Sequence, residues 1–132
     1  MSQTKAQLIA ADATFTISSD ASFNSVSVGK GANSVAGNTV LGETALDASV
    51  SGADNIAIGK NSLTSLTSGA NNTAVGRSSL ATITTASNNT AIGYFALLEN
   101  TTGTANTAVG HASLDANTTG SYNLALGNSA LS

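Results

Sequence analysis

Asn38, Asn55, Asn72, Asn89, Asn106 and Asn123 stand seventeen residues apart without one insertion. Four positions after each comes a glycine (Gly42, Gly59, Gly76, Gly93, Gly110, Gly127), and four further on a leucine (Leu46, Leu63, Leu80, Leu97, Leu114, Leu131). A second small residue recurs as Gly52, Gly69, Gly103 and Gly120, with Ala86 in the remaining copy. No other property of the chain restricts its fold as much. A unit this short cannot bury its own apolar side chains, so each copy has to stack on the next, and unbroken spacing makes the stack regular.

Within each copy the "NTAIG" type of segment alternates with period two. Leu41, Ile58, Val75, Ile92, Val109 and Leu126 share a face with Thr39, Ile56, Thr73, Thr90, Thr107 and Leu124. Val40, Ala57, Ala74, Ala91, Ala108 and Ala125 lie between them and make the opposite face narrow enough for another backbone to approach. This is strand patterning. Two small residues per copy and linkers rich in Asn, Thr and Ser exclude a helix, because these residues favour turns and caps. The fold class expected is all-β, a parallel β-solenoid or β-roll of 17-residue rungs, each holding two short strands and two turns. Rungs stacked at about 4.8 Å put each residue beside its counterpart in the next copy and give a rod about 25–30 Å long. Asparagines then form a hydrogen-bonded ladder, leucines and isoleucines form apolar stripes, and the glycines are expected at positive-φ corners.

The solenoid covers residues 23–132. "SVSVGKGANSVAG", residues 25–37, reads as a shortened copy that enters the stack ahead of the repeats starting at 38, 55, 72, 89, 106 and 123. Residues 1–22 do not repeat and are expected to be a docking or capping segment. In it "TKAQLIAADA" predicts a short helix, with Thr4 as N-cap and Gln7 completing a capping box, and "ATFTISS" alternates like a strand.

Leu, Ile, Val and Phe make 28 of 132 residues and the formal net charge is −3, enough apolar material to fold but not for a large globular core. With five aromatics and no tryptophan, an aromatic-lined pocket is not expected. The absence of cysteine excludes disulfides and thiolate zinc sites. Four basic residues leave no cationic footprint for nucleic acid. No secretory leader and no membrane insertion are expected, since the apolar runs are too short.

A rung offers two or three medium aliphatics, each contributing about 1.5–3 kcal/mol on burial, against about 1–2 kcal/mol per residue of backbone ordering. A lone roll this thin is marginal. Packing the Leu or Ile stripes of several copies around an axis buries more area and covers sheet edges, so self-association is expected.

The repeated "NTAIGYFALLENTTG", with "NTAVGHASLDANTTG" and "NNTAVGRSSL", resembles the repeat arrays of bacteriophage tail-fibre and other virion-fibre proteins over about residues 24–132. More distantly, "NSVSVG" and "NTAIG" resemble the "SVAIG" rungs of trimeric autotransporter adhesin heads. The resemblance implies a homotrimeric, β-prism-like fibre. It further implies a structural place on the virion surface, on tail or capsid, after synthesis in the host cytoplasm. Partners would be other copies of the chain, another virion protein through residues 1–22, and a host-surface receptor. Residues 1–132 hold neither the chaperone domain that ends many such fibres nor the signal sequence and membrane barrel of an adhesin, so the expectation is a short fibre that trimerises unaided or a piece from which the rest is missing. The alternatives are a bacterial adhesin head fragment and a monomeric, Thr-rich ice-binding solenoid. For the last, the Thr pairs at 84–85, 101–102 and 118–119 precede turns, where loop hydrogen bonding suits them better than an ice plane.

The column just after the first glycine, Glu43, Lys60, Arg77, Tyr94, His111 and Asn128, varies where its neighbours do not, and is expected to form an exposed ridge along the rod. Tyr94 and His111 make it the candidate binding edge. The plainer reading is a solvated edge on which Glu43 and Lys60 are neighbouring charges. Phe95 interrupts a column of Thr44, Asn61, Ser78, Ala112 and Ser129 and is expected to cover a neighbouring rung or subunit. Catalysis, metals and cofactors are not expected. His111 is the single histidine, the seven acidic residues lack the spacing of calcium-binding rolls or a glycosidase pair, and no serine sits in a nucleophile turn.

Overall fold

The computed structural model describes residues 20–132, and the helix and strand expected before them lie outside the described residues. Eight strands form one sheet in chain order: β1 (Ala21–Phe23), β2 (Val26–Gly29), β3 (Thr39–Gly42), β4 (Ile56–Ile58), β5 (Thr73–Val75), β6 (Thr90–Ile92), β7 (Thr107–Val109) and β8 (Leu124–Leu126). From β3 onward every neighbour is parallel, and the partners stand seventeen positions apart: Thr73 faces Thr90, Ala74 faces Ala91, Val75 faces Ile92. Successive parallel neighbours joined by a returning chain are the definition of a β-solenoid.

Two features differ from the sequence expectation. Each rung holds one three- or four-residue strand, not two, and the rest of the turn is bends. Rung-to-rung bonding nevertheless continues around the coil: Leu63 N donates to Ser79 O, Leu80 N to Ala96 O, and Thr67 N to Thr84 O. The shortened copy joins the sheet antiparallel, as a hairpin of β1 and β2 laid against β3. Its link to β3, residues 30–38, contains a 3-10 turn at Ala32–Ser34 and is shorter than the crossover of a dozen or more residues that parallel pairing needs.

The period-two pattern sorts as the side-chain sizes require. Val40, Ala57, Ala74, Ala91, Ala108 and Ala125 point into the coil and are buried, since only small residues fit where the strand faces the opposite wall. Leu46, Leu63, Leu80 and Leu97 fill the interior completely and Leu114 almost so, while Leu131 in the last rung is exposed. The leucine stripe is therefore the chain's own core, and the aliphatic stripe Leu41, Ile58, Val75, Ile92, Val109, Leu126 faces outward.

Corners are made differently from the expectation as well. Gly59, Gly76, Gly93, Gly110 and Gly127 do have positive φ, between 120° and 140°. Three further columns sit in the left-handed region without glycine: the whole leucine column, the column containing Asn61, Ser78 and Phe95, and Asp54, Asn71, Asn88, Ala105 and Tyr122 just before or near each buried asparagine. Gly52, Gly69, Gly103 and Gly120 are small for a different reason. A Cβ at Gly52 or Gly69 would overlap the carbonyl of the rung above.

Candidate functional site

The buried asparagines form a continuous side-chain ladder. Oδ1 of each accepts from the backbone N of the next, at 2.9–3.0 Å for every step from Asn38 to Asn123. Nδ2 donates to a carbonyl fourteen residues on: Asn38 to Gly52, Asn55 to Gly69, Asn72 to Ala86, Asn89 to Gly103, Asn106 to Gly120. A shorter ladder was not legible beforehand. The column occupied by Leu66 and Ile83 continues as Asn100 and Asn117, where Asn117 Nδ2 donates to Asn100 Oδ1 at 3.1 Å and both donate to second-column glycine carbonyls. Among the described residues no buried side-chain nitrogen or oxygen lacks a partner. These ladders hold rungs together and offer nothing to a ligand.

The second feature is the predicted ridge, engaged in segments. Each of its residues follows a corner glycine, and the backbone there is locked to the next rung: Ser78 N donates to Lys60 O, Phe95 N to Arg77 O, Ala112 N to Tyr94 O. Glu43 is half-buried, and Lys60, Arg77, Tyr94, His111 and Asn128 are exposed. Adjacent side chains engage at three steps. Lys60 Nζ lies 2.9 Å from Glu43 Oε2, the Arg77 guanidinium carbon is 5.8 Å from the Tyr94 ring centre, and the Tyr94 and His111 rings stack at 5.3 Å with planes 14° apart. Phe95 packs on Tyr94, its ring centre 3.9 Å away, and so buttresses the ridge itself.

The outward sheet face is the other surface of note. Its two columns, Thr39, Ile56, Thr73, Thr90, Thr107, Leu124 and Leu41, Ile58, Val75, Ile92, Val109, Leu126, hold no charged residue, and Leu41, Ile56, Ile92, Leu124 and Leu126 are all more than a third exposed. The Thr pairs near the turns behave as loop residues. Thr67 and Thr101 donate from Oγ1 to Thr84 O and Thr118 O.

A shallow depression of about 300 Å³ lies between the hairpin and the first rung, lined in part by Asp20, Asn33 and Asp47. Both oxygens of Asp20 are already occupied, accepting from Lys30 N and Gly31 N at 2.6 and 2.7 Å. Among the described residues no three His, Cys, Asp or Glu side chains stand together as metal ligands, and no helix is long and apolar enough to cross a membrane. No family model matches the chain, and searches of the curated proteins and the solved structures give no match either.

Proposed function

We propose that the chain is a structural element of a phage virion, a short homotrimeric fibre on tail or capsid that docks through residues 1–22 and projects its rungs outward toward the host surface. The observation that carries the reading is the outward sheet face. A solenoid whose leucines already fill its own interior still presents two charge-free columns of Thr, Ile, Val and Leu along six rungs. Contiguous exposed apolar surface of this kind marks an interface, and three chains related by a threefold axis would bring these same columns together at the axis. Of the two stripes expected to pack between copies, Leu or Ile, the Ile/Val one is the exposed one and is taken as the interface. The resemblance of the repeats to virion fibres supplies the setting. Immunoelectron microscopy with an antibody raised against residues 38–132 tests it: labelled particle surfaces are expected, and label confined to uninfected cells would refute it.

A second reading draws on the same face. Thr73, Thr90 and Thr107 alternate with Val75, Ile92 and Val109 on one rigid, outward, uncharged sheet, which is a surface able to order water as a lattice. Such a protein would be monomeric, and thermal hysteresis of the purified chain would distinguish it from the fibre, whose face is covered.

A further inference from the structure

We propose that the middle of the ridge, Arg77, Tyr94 and His111, is a binding site for a carboxylated saccharide chain lying along the rod. The proposal does not rest on the fibre reading. Of the two ridge cations, Lys60 is neutralised by Glu43, and that is the one ion pair among the described residues. Arg77 is left as an exposed guanidinium with no carboxylate partner among those residues, held over the Tyr94 ring. Arg77 lies over the Tyr94 ring, His111 stacks on it, and Phe95 packs 3.9 Å from its centre. Guanidinium, phenol and imidazole then follow one another on three consecutive rungs as a row of hydrogen-bonding groups whose rotamers are fixed by their neighbours, so little entropy is lost when a ligand is engaged.

Phe95 is the independent sign that this row is selected. Every rung takes a left-handed φ at this position, and where the others fill it with Thr, Asn, Ser or Ala this one carries a bulky ring, which packs on Tyr94. A planar guanidinium fork favours a carboxylate, which it binds by two parallel hydrogen bonds. Periodicity favours a sugar chain as its carrier. Successive groups of the row stand 5.8 and 5.3 Å apart, near the length of one pyranose unit, whereas an extended peptide presents same-side groups about every 6.6 Å.

The test is a titration of the 15N-labelled chain with a hexameric uronate, against a neutral glucose hexamer, followed by amide chemical shifts. The uronate is expected to shift the amides around Arg77, Tyr94, Phe95 and His111 and to leave the outward sheet face unmoved. Arg77→Gln and Tyr94→Ser should each weaken binding about tenfold, the value of a lost hydrogen bond to a charged group. Arg77→Lys, which keeps the charge and loses the fork, should weaken it too, while Lys60→Gln should not. All three sites are exposed, so native amide dispersion is expected to persist in every variant. Equal shifts with the neutral hexamer, no shifts with the uronate, or undiminished binding by Arg77→Gln would overturn the proposal.

Discussion

Asn89 donates from Nδ2 to Gly103 O at 3.0 Å and accepts the backbone N–H of Asn106 at its Oδ1, also at 3.0 Å, in complete burial. Truncation to alanine leaves the buried N–H of Asn106 without a partner, while Gly103 O keeps Asn100 Nδ2. Asn89→Ala is therefore expected to cost about 1–3 kcal/mol, read from the denaturant midpoint, because the orphaned N–H carries its desolvation penalty. The left-handed columns predict a change of the opposite sign. Ala105 adopts φ 55° where the two preceding rungs place Asn71 and Asn88 at 58° and 64°. Asparagine tolerates this region better than alanine, so Ala105→Asn should stabilise by about 0.5–1 kcal/mol in the same assay. The asparagine ladder was legible in the sequence, since strict recurrence of an amide in a stack has few other uses. The left-handed leucines were not. Leucine has no local preference for that region, and only the demand that a side chain turn into the coil interior places it there.

At the scale of the rung, glycine columns carry two separate constraints. Gly59 combines a φ of 120° with a neighbour so close that a Cβ would stand 2.7 Å from the Gly76 carbonyl. Gly59→Ala has to spread two rungs, and is expected to abolish the cooperative transition in circular dichroism near the wild-type midpoint, whereas alanine at the neighbouring Lys60, exposed on the ridge, should be nearly silent. The period and the inward alanines could be read from the sequence because both follow from spacing. Direction and number of strands could not. Alternation in "SVSVG" specifies a strand without specifying which way it runs, and the short link that turns β2 antiparallel to β3 shows only in three dimensions. The second strand expected in each rung is replaced by turns, because the leucine column and the column two residues before it take left-handed φ values that no strand accommodates. On the ridge, exposure followed from variability, but the engagement of Arg77, Tyr94 and His111 with one another required the rung-to-rung register.

The whole molecule has two apolar stripes with different assignments. The inner one, Leu46 to Leu114, makes the solenoid, and the outer one, Leu41 to Leu126, faces outward, where we propose that other copies pack. Their separation gives the account a direct test by light scattering on the purified chain, with wild type beside Leu80→Asp and Ile92→Asp. Leu80→Asp buries a charge and should unfold the rod. Ile92→Asp places the charge on the outward face and should yield a folded monomer. For the wild type, the account predicts a mass near three times the 12.9 kDa of one chain. A wild-type mass of 12.9 kDa, with Ile92→Asp indistinguishable from it, would contradict assembly through the outward face.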